Sequence, residues 1–517
     1  MPSQSELERM AASLLCVGFT GATPAQAPLA ELAALKPGGI VLFARNVTRL
    51  DATRQLVEAV CDAIGEAVRP FVAIDQEGGS VMRLRAGAAP IPSMMALGAA
   101  RDAELARRAG AAIAADLRRA GCTIDFAPVL DLALEPQSPV IGTRSFGDDP
   151  QRVGALGAAV VCGLQEGGIA ATIKHFPGHG ATARDSHVEL PVIPASAATL
   201  RERELLPFAS GIAAGARAVM SAHVMIPALD ERRPATLSHT VLTRILRDEY
   251  HFTGVCFTDC MEMDAIAGGI GTARGAACAV AAGADSVLVS HHLEAASAAR
   301  DAIVAAVASG EISIARLEEA AARLDALRRW SVPPPAPVDG ARVAHEAARA
   351  ALTVVRGSIM LEPERPVTVV SFEGATNEGA QGLQVDHASL NLALRTRRFR
   401  SELFRAPLDP NAAAIEHLAD LVRAQSGRHV ICVLRRALRN AGQRAALAAL
   451  LEAAPEALVV CAREPFDVLC AGRARHLVCT YGDDEASTEA LADAIAGRFV
   501  PSGTLPVSLA AGASAAY

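Results

Sequence analysis

Residues 170–187 read AATIKHFPGHGATARDSH. The stretch opens as a short apolar run that closes on Lys174 and His175, passes through Pro177, Gly178 and Gly180, and ends on Asp185, Ser186 and His187. A short apolar run bounded by turn residues reads as a buried strand. The same pattern recurs in GGIVLF (38–43), PFVAID (70–75), CTIDFAP (122–128), AVMSAH (218–223), GVCFTD (254–259) and DSVLVS (285–290), with ASLLCVGF (12–19) as an eighth run. Ala-, Leu- and Arg-rich amphipathic stretches such as DAELARRAGAAIAADLRRAG (102–121) lie between them. Strand and helix alternating over about 330 residues predict parallel strands with helical crossovers, an α/β fold of the TIM-type (β/α)8 barrel.

The carboxyl ends of the strands form the functional rim of such a barrel. Arg45-Asn46, Asp75, Asp131, Lys174-His175, His223 and Asp259 fall at or just beyond those ends. SVPPPAPVDG (331–340) carries four prolines and continues neither a helix nor a central strand. The expected division is a catalytic barrel over 1–330, a Pro-rich linker over 331–342, and a smaller α/β/α sandwich domain over 343–517. In that last part VTVVSF (367–372), HVICVL (429–434), EALVVCA (456–462) and HLVCTYG (476–482) read as strands, with helical stretches such as QRAALAALLEAA (443–454) between them. It shows no Gly-rich phosphate fingerprint and no catalytic constellation, so a structural or partner role is expected for it.

Composition narrows the function classes. A net charge of -7 without a basic run argues against nucleic acid. Aromatic residues make up 3%, so stacking platforms are scarce. The 11 cysteines are scattered and form no CxxC pair, which reads as reduced core thiols and not as a disulfide framework or zinc site. The first residues have no basic leader region, and no apolar stretch approaches about 18 residues. The expectation is a cytoplasmic protein without a membrane segment; oligomeric state is not legible.

Asp259 ends GVCFTD, where a carboxylate is held rigidly in the barrel mouth and suits a nucleophile. The competing reading is an N-cap for the helix in CMEMDAI. Asp185 and His187 stand two apart, and a carboxylate beside an imidazole fixes its tautomer and raises its proton affinity. No GxSxG motif accompanies them, so they act as acid and base to a nucleophile elsewhere. His175, His179, Asp185 and His187 are also zinc-binding types, but their spacing matches no metal motif and Lys174 and Arg184 oppose a cation. No metal and no cofactor are expected. AIDQEGGSVMRL (73–84) sets Asp75, Glu77 and Arg83 around a Gly-Gly turn, either to bind a hydroxyl-bearing ligand or to neutralise one another.

These segments resemble glycoside hydrolase family 3, in particular its β-N-acetylglucosaminidase branch. The matching stretches are GGIVLFARN (38–46), IDQEGGSVMRL (74–84), DFAPVLDL (125–132), IGTRSFG (141–147), KHFPGHGATARDSH (174–187), MSAHVMIPALD (220–230), PATLS (234–238) and GVCFTDCMEM (254–263), with GRFVPSGTLPVSL (497–509) closing the second domain. The resemblance implies retaining hydrolysis through a covalent glycosyl-enzyme. Asp259 matches the family's nucleophile, His187 this branch's acid/base, and Asp185 its orienting partner. Asp75, Arg83, Arg144, Lys174 and His175 match sugar contacts, which implies removal of a terminal N-acetylglucosamine from cell-wall (muropeptide) fragments. An imidazole adds no negative charge, so an anionic acceptor is repelled less than by a glutamate; phosphorolysis, or another β-glycoside specificity, stays open as an alternative. Ser290-His291-His292 has no counterpart in that pattern and reads as a polar loop.

Overall fold

The computed structural model describes residues 2–65, 68–186, 188–333, 336–374, 376–378, 382–384 and 389–509. His187 lies outside these described residues. The eight apolar runs of the first part form strands: β1 (Leu15–Val17), β2 (Gly39–Leu42), β3 (Phe71–Ile74), β4 (Ile124–Asp125), β5 (Ala170–Phe176), β6 (Ala218–Ser221), β7 (Val255–Cys260) and β8 (Ser286–Val289). They close into a barrel in the order β1-β8-β7-β6-β5-β4-β3-β2, each neighbouring pair parallel. The 102–121 stretch becomes helix Ala103–Ala120; Asp102 accepts the Leu105 N–H at its start, and Gly121 ends it at φ +84°.

The lumen is filled, not open. Phe71 on β3 and Phe257 on β7 meet edge-to-face at 5.5 Å, and Phe126, just past β4, meets Phe257 at 5.3 Å. Strands 3 and 7 are not neighbours in the ring, so these contacts cross the interior. Gly39 makes room for them: a Cβ there would lie 2.0 Å from the Phe71 ring. The amino-terminal end of the barrel is tied by Asp285, which is fully buried. Its carboxylate accepts from Arg247 at 2.6 Å, Arg316 at 2.6 Å, Arg323 at 3.0 Å and the Cys256 N–H at 2.9 Å. Those arginines come from segments Thr240–Glu249 and Ile314–Arg329, so one carboxylate fastens two peripheral helices to the barrel.

The second sheet contains β9 (Thr353–Arg356), β10 (Val367–Glu373), β11 (Ser401–Pro407), β12 (His429–Leu434), β13 (Leu458–Cys461) and β14 (His476–Cys479), in the order β9-β14-β13-β12-β10-β11. All pairs are parallel except the β9 edge. Alternate residues face opposite sides and both sides are buried: Val370, Cys432 and Val459 belong to one apolar cluster, Val369, Ile431 and Val460 to another. The first of these clusters takes in Met95, Ala96 and Ala99 from the barrel helix Met94–Ala100, so this face docks on the barrel. The edge strands β9 and β11 carry little apolar signal: SELFRAP exposes Glu402 and ends in proline, which only an edge tolerates.

Removing the Asp285 carboxylate leaves three largely buried guanidinium groups facing one another. Asp285→Ala is expected to lower barrel stability by about 3–5 kcal/mol in chemical denaturation. A loss under about 1 kcal/mol would contradict the role given to this carboxylate.

Candidate active site

The carboxyl ends of the barrel strands surround a cavity of about 420 Å3, within the range of small-ligand sites. Asp75, Arg83, Arg144, Lys174, His175 and Asp259 all line it. Asp185 does not line it, although its neighbour Ser186 does.

Lys174 and His175 both reach the cavity because the pairing of β5 with β6 shifts between Lys174 and Phe176, which breaks the alternation of a regular strand. Asp75 follows β3, and the chain then turns back in a hairpin, Gln76–Gly78 against Val81–Met82. The turn needs Gly78 and Gly79, at φ +95° and +55°; a Cβ on Gly79 would lie 2.7 Å from Ser93. Gln76 locks the hairpin: its side-chain amide donates to the Leu84 carbonyl at 2.8 Å and accepts the Arg83 and Leu84 N–H groups at 2.9 and 3.0 Å. Glu77 is thereby driven inward and Arg83 is brought back over the cavity.

Glu77 holds the floor together although it does not line the cavity. Its carboxylate takes a two-point contact from Arg144, at 2.8 Å to each oxygen, and one oxygen also lies 2.6 Å from Lys174 Nζ. Lys174 Nζ donates to Asp75 at 2.7 Å, and Arg83 stands 3.6 Å from the other Asp75 oxygen. Burial works against the Glu77 charge, but Arg144 and Lys174 outweigh it and hold the carboxyl well below the usual carboxylate range. Burial likewise opposes the Lys174 charge, and Asp75 and Glu77 override it, leaving the ammonium raised above its ordinary value. Glu77 and Lys174 are thus held in their charged forms, and their contacts fix them in place.

Asp131, fully buried, organises the other wall. It accepts the backbone N–H of His175 at 3.1 Å and of His179 at 2.6 Å, and meets His175 Nδ1 at 2.6 Å. A carboxylate can only accept here, so Nδ1 carries the proton and Nε2 is left toward the cavity, 3.5 Å from Arg144. Burial raises the Asp131 carboxyl, but the two histidines more than compensate and it stays below its usual value. His179 Nε2 lies 3.0 Å from Ser186 Oγ, tying the middle of the Gly-rich loop to its far end. Burial pushes the His179 imidazole down to about 4, so it is neutral in the folded protein.

Asp259 lies inside β7, and its Oδ1 accepts the Cys260 N–H at 2.7 Å. The N-cap reading fails: the next helix, Asp264–Ala267, is preceded by Met263, and no side chain caps it. His223 is fully buried, its Nε2 donating to the Cys260 carbonyl at 2.9 Å and its Nδ1 lying 2.9 Å from Thr236 Oγ1. It acts as a strut beside Asp259, not as a lining residue. The Ser290-His291-His292 segment, read as a plain polar loop, lies on the wall instead: Ser290 and His291 line the cavity, and Glu262 accepts the His291 N–H at 2.6 Å. His291 also stacks on Phe43 with centroids 5.9 Å apart. Nothing in SHH announces this, because it depends on where Glu262 and Phe43 stand. Among the described residues no group of three His, Cys, Asp or Glu side chains is placed to hold a metal ion, and no helix is long and apolar enough to cross a membrane.

The His179 shift has a measurable consequence. An unfolded histidine titrates near 6.5 and this one at about 4, so between those values the unfolded chain holds the proton and the folded chain does not. Stability therefore falls as pH drops from 6.5 to 4, by up to a few kcal/mol. His179→Gln is expected to flatten that part of the stability profile; an unchanged slope would contradict the assignment.

The barrel resembles known proteins. Residues 6–327 match the model of the glycosyl hydrolase family 3 N-terminal domain. A β-hexosaminidase from Thiobacillus denitrificans is 41% identical over 267 residues, covering 50% of this chain and 72% of that protein. One from Pseudomonas aeruginosa is 42% identical over 229 residues, 44% of this chain and 67% of that protein. A solved family 3 β-N-acetylglucosaminidase from a Paenibacillus species superposes with a TM-score of 0.91 at 35% identity, over 97% of this chain and 99% of that one, so the likeness includes the second sheet. The chain belongs to glycosyl hydrolase family 3 and is a glycoside hydrolase.

Proposed function

We propose that the protein is a retaining exo-β-N-acetylglucosaminidase that removes terminal non-reducing N-acetylglucosamine from cell-wall muropeptide fragments, in peptidoglycan recycling in the cytoplasm. The observation that carries the reading is the placing of Asp259, fixed at a strand end, in one cavity with the Lys174, Asp75, Arg144 and His175 network. Asp75 is held by Lys174 and Arg83, and Glu262 by the loop after β8. The buried floor charges close the cavity at one end, which suits a terminal sugar. The β-hexosaminidases and the β-N-acetylglucosaminidase it resembles point to the 2-acetamido sugar, and eleven free cysteines suit a reducing compartment.

In the proposed cycle the Asp259 carboxylate attacks the anomeric carbon as the glycosidic bond breaks. His187, oriented by Asp185, gives its proton to the departing oxygen. The glycosyl-enzyme ester is then opened by water, whose proton returns to His187, and the sugar leaves with its anomeric configuration kept. Asp75 and Lys174, already bound to each other, present fixed acceptor and donor groups to the sugar hydroxyls, so little reorganisation accompanies binding. His175 faces the same cavity, in an orientation that Asp131 sets.

Wild-type enzyme is expected to hydrolyse 4-nitrophenyl N-acetyl-β-D-glucosaminide and to leave the corresponding glucoside nearly untouched. Asp259→Ala should cut kcat/KM by at least about a thousandfold. Comparable turnover of both glycosides would overturn the specificity, and a fully active Asp259→Ala the nucleophile.

A further inference from the structure

A second cavity of about 400 Å3 opens where the barrel rim faces the second sheet. It touches the active-site cavity at Ala44 and Arg83, which line both. Its barrel wall is the hairpin after β3, with Arg83 and Arg85. Its other wall comes from the segments that follow β12, β13 and β14, with Arg436, Arg463, Asp483 and Asp484. In an open parallel sheet the carboxyl ends of the strands, near the place where the strand order reverses, are where ligands bind. Here the order reverses between β10 and β12, since β11 lies on one side of β10 and β12 to β14 on the other. The carboxyl ends of both sheets therefore face the same cleft.

The cleft is cationic. Among the described residues its lining has four guanidinium groups, Arg83, Arg85, Arg436 and Arg463, against two carboxylates, Asp483 and Asp484. The carboxylates are partly spent within the fold. Asp484 caps helix Glu485–Ile495 by accepting the Ser487 N–H at 2.9 Å. Asp483 is shared between Arg435 at 2.8 Å and Arg463 at 3.1 Å. Behind the wall Arg435 and Glu464 cancel in charge, so an excess of two positive charges faces the cleft. Arg85 is exposed to it.

We propose that this inter-domain cleft binds a carboxylate on the leaving part of the substrate, so that the second domain selects acidic aglycones. The inference rests on the exo-glycosidase reading of the first cavity: a sugar held there by its terminal ring directs its leaving group out past Ala44 and Arg83. Planar guanidinium forks lining the cleft, Arg85 from the barrel side and Arg463 from the second domain, then meet a carboxylate. A neutral aglycone of the same size gains nothing from them. The contacts lie away from the bond that breaks, so they act on kcat/KM for acidic substrates and not on the chemistry common to all substrates.

The test compares N-acetylglucosaminyl-β-1,4-N-acetylmuramic acid, its lactyl methyl ester, and the 4-nitrophenyl glycoside, using wild type, Arg85→Gln and Arg463→Gln. Wild type should prefer the acid to the ester. Each variant should lose about tenfold in kcat/KM on the acid while staying within about twofold of wild type on the ester and the 4-nitrophenyl glycoside. Arg85 is exposed, so its variant keeps the test valid should loss of Arg463 disturb the pairing with Asp483. The same pair of substrates extended by one lactyl-linked alanine separates a carboxylate on the sugar from one on an attached peptide, and a selective loss with either pair supports the cleft. Equal treatment of acid and ester by wild type, or equal losses in the variants, would overturn it. Failure of wild type on the 4-nitrophenyl glycoside would instead count against the glycosidase reading.

Discussion

The site depends on a buried carboxylate that does not itself line the cavity. Glu77 is 1% exposed and holds Arg144 by two contacts and Lys174 by one. These three residues come from the hairpin after β3, the loop before helix Pro150–Glu166, and the end of β5. Burying so many charges is unfavourable unless each is matched, and breaking one pair costs more than the pair contributes. The network is therefore retained for its geometry: it fixes Lys174 against Asp75 at the cavity wall. Asp131 does the same for the facing wall, setting the proton of His175 and the turn at His179 with one side chain.

The barrel was legible because six of its eight strands announce themselves twice, by an apolar run and by polar residues at or just beyond its end. The second sheet was legible only in its middle. β12, β13 and β14 have near-continuous apolar residues, whereas β11, with Glu402 exposed and Pro407 at its end, looks like a loop in sequence. Lining residues such as Lys174, Asp75 and Asp259 stand at strand ends and could be named from the chain. Glu77, Asp131 and His179 could not be given their places, because their roles are pairings across 44 to 97 positions of sequence that only the closed barrel creates. Glu77 and Lys174, for example, are brought together by the inward turn at Gly78 and Gly79. His223 shows the converse: it ends a strand like the others and yet turns into the wall as a strut.

The two domains meet as a consequence of the same geometry. The loops at the carboxyl ends of both sets of parallel strands line one cleft. The docking is specific. Ser93 donates to the Tyr481 carbonyl at 2.7 Å, the guanidinium of Arg439 donates to the Ser138 carbonyl, and the closing segment returns to the barrel through Ser508 N–H on Asp148 at 2.6 Å. Helix Gly340–Ala351 packs into the barrel cluster through Val343 and Ala347 and reaches the second domain at Ala351. The second domain is thus held at the mouth of the site by contacts spread over several segments.

The central claim is that Asp259 carries the sugar between the two halves of the reaction. Incubation with an activated 5-fluoro N-acetylglucosaminyl donor, which forms the ester faster than water opens it, followed by acid quench and intact-mass and peptide analysis, tests it directly. The account predicts one sugar per chain, on the peptide containing Asp259, and its release on standing with loss of the label. A label on a different carboxylate, or turnover of the donor with inverted product and no labelled protein, would contradict it.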